Sequence, residues 1–89
     1  MQTTAVEQRK ERRNAARGEV RLADPAGMEF AGRLLDTSPS GFRAAHANTT
    51  LSSGQRVRFS YPGRHGHAVV MWNRLLQDQM ESGFLVVSD

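Results

Sequence analysis

From Gly18 onward, apolar and polar residues alternate with a period of two, the spacing of half-buried strands whose successive side chains point to opposite faces. Val20 and Leu22 are flanked by charged or small residues, and Asp24-Pro25-Ala26-Gly27 then supplies turn chemistry. Met28, Phe30, Gly32 and Leu34 alternate next. The two runs predict a hairpin, with Gly32 marking a bend or bulge in its second strand. Asp36-Thr37-Ser38-Pro39-Ser40-Gly41 interrupts the pattern as a compact loop. A strand over about 42–46 follows, then a polar stretch over 48–54 anchored only by Leu51. Residues 56–61 alternate again, with Val57 and Phe59 on one face, and Pro62-Gly63-Arg64-His65-Gly66 turns the chain. The most apolar strand spans 68–72 and the last spans 83–87. Six short strands separated by regular turns predict an all-β fold, a small six-stranded antiparallel β-barrel over 18–89.

Ahead of Gly18 the pattern is different. Residues 6–17 hold Arg9, Lys10, Arg12, Arg13 and Arg17 and almost nothing that can enter a core. Thr4-Ala5-Val6-Glu7 fits a capping box, which predicts a short helix over about 5–16. A lone helix of about 12 residues is marginal in water. Residues 1–17 therefore read as a basic N-terminal arm, mobile or short-helical.

Eighty-nine residues make one domain. With 38% hydrophobic residues the chain can close one small core, but it has little to spare for a deep catalytic cavity. Cysteine is absent, which removes disulfides, thiolate nucleophiles and Cys-type zinc sites. No stretch approaches the ~20 apolar residues of a membrane span, and no apolar run near the start resembles a signal peptide. The expectation is a soluble, cytoplasmic chain. The net charge is +3, and all twelve cations but Lys10 are arginines. Arginine's planar fork pairs bidentately with phosphate and with guanine, which a lysine point charge does not. The composition points to an anionic partner.

Three groups of residues can carry chemistry. Arg13 and Arg17 are four apart, with Arg12 directly before the pair. That spacing puts two guanidiniums on one side in a helix or a strand, where they can clamp phosphates or the O6 and N7 edge of guanine. The same residues serve equally as a plain solvated basic arm. In the second group, extended backbone would set Asp36 and Ser38 on one face. There the carboxylate can accept from the N–H groups of a guanine edge and the hydroxyl can bond phosphate or base. Gly41 then allows close backbone approach or a positive φ. An Asx-turn joining two strands has the same composition. The third group is His65-Gly66-His67, with His46 elsewhere; it lacks a neighbouring carboxylate or Cys to complete a metal site and reads as exposed turn histidines. A Ser38–His46–Asp36 hydrolase arrangement has no nucleophile elbow around it. No metal, cofactor or enzymatic role is expected.

Read together, the first two groups become more specific. R-R-x-x-x-R (Arg12, Arg13, Arg17) lies just before the first strand, and D-x-S-x-x-G (Asp36, Ser38, Gly41) follows about twenty residues later. This combination resembles the PilZ-domain family of bacterial cyclic di-GMP receptors, and the resemblance runs from about Arg9 to Val87. It takes in Ala68-Val69-Val70-Met71-Trp72 and Gly83-Phe84-Leu85-Val86 as the closing strands. The four-residue end from Val86 leaves no room for the further C-terminal helix that family members often carry. The resemblance implies a barrel whose outer surface and arm capture the dinucleotide. Arg13 and Arg17 would contact guanines and phosphates, Asp36 and Ser38 would hold a guanine edge, and Gly41 would keep the loop tight. Arg12 would accompany an intercalated ligand dimer. Ordering of the arm on binding would then pass the signal to a downstream effector protein, and the cost of that ordering suits micromolar affinity.

Two other readings compete. A small β-barrel binding single-stranded nucleic acid fits the basic composition, but such modules stack bases on clustered surface aromatics. Here Phe30, Phe42, Phe59, Tyr61, Trp72 and Phe84 sit mostly at alternating positions that read as core. A PilZ-like adaptor that binds only protein is the other.

Overall fold

The computed structural model describes residues 12–88. Among them are seven strands and no helix: β1 Asn14–Ala15, β2 Glu19–Ala23, β3 Glu29–Ser38, β4 Gly41–His46, β5 Arg56–Tyr61, β6 Arg64–Leu76 and β7 Gln79–Ser88. Every pairing is antiparallel. The ladder runs β3-β2-β5-β6-β7-β4, and β4 returns to β3, so six strands close into the expected barrel. β1 is an addition, lying on the second half of β3 with Asn14 opposite Thr37 and Ala15 opposite Asp36.

The helix over 5–16 is corrected where it can be seen. Asn14–Ala15 is strand, and the remainder up to residue 11 lies outside the described residues. The reason is the edge of β3. Beyond its pairing with β2, that edge offers backbone groups that would otherwise lack partners. Residues 14–18 take them up: Ala16 N–H donates to the Leu35 carbonyl (3.1 Å), and Leu34 N–H donates to that of Gly18 (2.9 Å). A lone helix offers no comparable gain.

Turns are tighter and strands longer than the alternation suggests. The loop over 36–41 shrinks to Pro39-Ser40, because Asp36, Thr37 and Ser38 complete β3 and Ser38 stands opposite Gly41. The turn over 62–66 reduces to Pro62-Gly63. β6 and β7 extend past the barrel as a hairpin whose tip exposes Leu75 and Leu76. No helix among the described residues is long and apolar enough to cross a membrane.

Inward residues alternate as period two requires, and Phe42 lies at their centre, fully buried. Its ring stacks on Phe84 at 4.7 Å and meets Phe59 at 5.0 Å and Tyr61 at 5.5 Å, distances typical of favourable aromatic pairs. Gly32 is not a bulge. It holds β3 close to β4, where a methyl group would stand 3.1 Å from the Ala45 carbonyl. The bulge falls at Leu35, between the Leu34–Ala44 and Asp36–Arg43 pairs.

Candidate ligand-binding site

The Leu35 bulge builds the site. Ahead of it, Leu34 stands opposite Ala44 and both face the core. One extra residue reverses the alternation, so Thr37 turns inward opposite Phe42, while Asp36 and Ser38 turn outward opposite Arg43 and Gly41. A second bulge, at Met71 in β6, does the same. Val70 faces Phe84 in the core, whereas Trp72 and Arg74 turn outward opposite Gly83 and Glu81. One wall of the barrel thus gathers Asp36, Ser38, Arg43, Glu81, Trp72 and Arg74.

A chain of ion pairs crosses that wall. Arg13 Nη1 donates to Asp36 Oδ1 (2.8 Å). Arg43 Nε donates to Asp36 Oδ2 (2.8 Å), and its Nη2 lies 2.6 Å from the same oxygen in an ion pair. Arg43 Nη1 reaches Glu81 Oε2 (3.3 Å), and Arg74 Nη2 donates to Glu81 Oε1 (2.6 Å). Both carboxylates are buried beneath these guanidiniums. The hydrogen bond that Arg43 donates to Asp36 holds the guanidinium pKa above its ordinary value, against the opposing effect of burial. The exposed Trp72 indole lies over Gly83, where any β-carbon would collide with the ring. Arg74 sits 6.0 Å from the indole centroid, within cation–π range.

Ser38 is 7% exposed, and its hydroxyl has no hydrogen-bond partner among the described residues. Leaving a buried hydroxyl unpaired costs about 1–3 kcal/mol, and such an atom is rare enough in a folded protein to call for a bonding partner. Its backbone carbonyl receives Arg64 Nη1 at 3.4 Å. Of the three arginines in R-R-x-x-x-R, only Arg13 reaches the site. Arg12 and Arg17 are exposed and make no ion pair among the described residues. Gly41 has a structural reason of its own, since a side chain there would run into the Phe84 carbonyl of β7. Arg43 escapes a reading of motifs because its partner lies seven residues away across the hairpin. The available signal is an arginine two residues beyond the D-x-S-x-x-G glycine, on the outward phase.

The histidines divide. His65 is exposed, and His67 Nδ1 stands 3.3 Å from Ser88 Oγ. His46 is buried in a relay. Asn48 N–H donates to His46 Nδ1 (3.1 Å), so Nε2 carries the proton and donates to Ser82 Oγ (2.7 Å). Ser82 donates to Asn73 Oδ1 (2.5 Å), and Asn73 Nδ2 donates to the Leu51 carbonyl (2.9 Å). A serine activated by histidine needs the opposite arrangement, with Nε2 accepting. The relay instead ties the 48–54 stretch to the barrel.

Burial lowers the His46 pKa below its ordinary value. The unfolded chain then takes up a proton near pH 6.5, while the folded chain resists it. This contribution to stability is complete above that pH and is lost as pH falls toward the folded value, at a slope of at most about 1.4 kcal/mol per pH unit. Urea unfolding at pH 7.5 and 5.0 should show a drop that is smaller in His46→Gln; an equal drop in both proteins would assign the acid sensitivity elsewhere.

No family model matches the chain, and no curated protein matches it.

Proposed function

We propose that this chain is a cyclic di-GMP receptor that works as a signalling adaptor. The ligand would lie on the outer face of β3 and β4 beside residues 12–17. One observation carries the reading: Asp36 and Ser38 face outward together, with Arg13 seated on the carboxylate and a buried hydroxyl that lacks a partner among the described residues. In the bound state a guanine edge donates its N1–H and exocyclic amine to Asp36, and the Ser38 hydroxyl bonds base or phosphate. Arg13 exchanges the carboxylate for guanine O6 and N7. Arg43 keeps Asp36 in place during that exchange, so the site keeps its shape. Arg12 and Arg17 have no competing partner among the described residues and pair with phosphates, in a stoichiometry of one ligand or an intercalated two. The Trp72 indole offers a stacking face. The resulting change of partners along 12–17 alters the surface that an effector protein reads.

The burial of Phe42, Phe59 and Phe84 weighs against a single-stranded nucleic-acid barrel, which needs such rings on its surface. The pairing of Asp36 with two arginines also suits an adaptor that binds protein alone. Calorimetric titration with cyclic di-GMP, beside GTP, cyclic di-AMP and a short RNA at two salt concentrations, separates these readings. The expected result is saturable heat with cyclic di-GMP alone, accompanied by a change in the fluorescence of Trp72, the chain's single tryptophan. Salt-sensitive binding of RNA without a response to the dinucleotide would favour the nucleic-acid barrel, and no response to any ligand would favour the protein-only adaptor.

A further inference from the structure

A second cationic surface lies on β2, β5 and β6, away from the Asp36 wall. Arg21, Ser60 and His65 stand in one cross-strand row, and Ala23, Arg58 and His67 in the next. Together with Glu29 they border a surface cleft of about 480 Å³ that lies over the Leu22, Phe59 and Gly66 row, whose two side chains are buried in the core. Arg21 is already paired with Glu19 (3.0 Å) and Glu29 (3.6 Å). Arg58 and its outward neighbour Arg56 are exposed, and their side chains make no hydrogen bond or ion pair among the described residues.

The chemistry of this cleft selects its partner. Arginine is among the residues enriched at protein interfaces, and here Arg56 and Arg58 present two guanidiniums on one exposed strand face. A single-stranded nucleic acid would need exposed rings for stacking, and the cleft's one benzene ring, Phe59, is 3% exposed. Over residues 58–60, β5 is paired on both edges, so a partner reaches it there through side chains and not by adding a strand. Alternate residues of an extended chain stand about 6.5–7 Å apart. Carboxylates at i and i+2 of an extended segment therefore match Arg56 and Arg58 one to one.

We propose that this cleft docks an extended acidic segment of a partner protein. Two of its carboxylates pair with Arg56 and Arg58, and an apolar side chain two residues further on enters beside Ser60 and Arg21. His65 and His67 line this cleft, while Arg64, in the same stretch of β6, reaches the Ser38 carbonyl. The docking itself requires no dinucleotide.

The test is an NMR titration of the whole ¹⁵N-labelled chain, without cyclic di-GMP, using the synthetic peptide Glu-Ser-Glu-Ser-Leu-Ser-Glu. A short oligouridylate is titrated in parallel. Saturable shifts at the amides of Arg21, Arg58, His65 and His67, leaving Asp36 and Ser38 unmoved, are expected with the peptide. Arg58→Glu should weaken the peptide about tenfold or more. Arg33→Glu, the same charge change at an exposed position on β3, should alter affinity by less than about twofold. Equal losses in the two variants would reduce the effect to net charge and overturn the proposal. So would a response to oligouridylate alone, or no saturable shift with the peptide.

Discussion

Arg13→Ala, titrated with cyclic di-GMP, should bind at least about a hundredfold more weakly than the unaltered chain while unfolding at nearly the same temperature. The two halves of this result have separate physical origins. Each charge-assisted bond from a guanidinium contributes about 1.5–3 kcal/mol where water is excluded, and a bidentate contact with a guanine edge contains two. Stability depends little on the same residue. The Arg13 side chain is 46% exposed, and exposed ion pairs contribute about 0–1 kcal/mol. Asp36 is not left as an unpaired buried charge, because Arg43 still holds it through Nε and Nη2. Titration calorimetry and a thermal melt on the same sample measure both halves. Undiminished binding would remove Arg13 from the site and the proposed ligand geometry with it. A variant that unfolds early would instead show that the arginine belongs to the scaffold.

Phe42→Ala should lower the unfolding free energy by about 3–5 kcal/mol, the range for removing a fully buried phenylalanine. A domain of this size has roughly 4–13 kcal/mol in total at typical stability per residue, so the loss is from about a quarter to all of that total. The large cost follows from position. Phe42 touches rings from β5 and β7 as well as its own surroundings on β4, and no small side chain nearby can move in to fill the space of a benzene ring. Urea titration followed by far-ultraviolet circular dichroism should show a lower midpoint with an unchanged slope. A loss below about 1.5 kcal/mol would mean that the three neighbouring rings collapse into the vacancy.

The barrel was legible in the sequence because most of its strands obey a simple period. Val20 with Leu22, and Val57 with Phe59, announce which side faces inward, and the intervening turns carry Pro and Gly. The site was legible only in part, and the obstacle was again periodicity. Leu34-Leu35-Asp36 looks like the end of a strand, since an extra residue breaks the alternation just as a loop does. From the sequence alone, the outward phase of Asp36 and Ser38 was therefore conditional on extended backbone that the broken alternation argued against. The arginine run was legible as charge but not as geometry: only the pairing of β1 with β3 distinguishes Arg13 from Arg12 and Arg17. Arg43 and Glu81 carried no local signal. Their meaning arises from cross-strand register, which brings together residues 36, 43 and 81 although no sequence window contains all three. The helix expected over 5–16 failed at its visible end for a related reason. Local propensity was weighed there without the hydrogen bonds that the edge of β3 holds open.

The bulges at Leu35 and Met71 give the site a dependence on chain length that composition does not express. Removing Leu35 would leave Arg13, Asp36, Ser38 and Arg43 all present, yet would turn the carboxylate and hydroxyl of β3 toward the phenylalanines and carry Thr37 to the surface. Two chains could thus share every site residue and differ in recognition through a single inserted or deleted position. The number of residues between Leu34 and Gly41, and between Val70 and Gly83, thus decides which side chains face outward, a fact that the motif letters do not record.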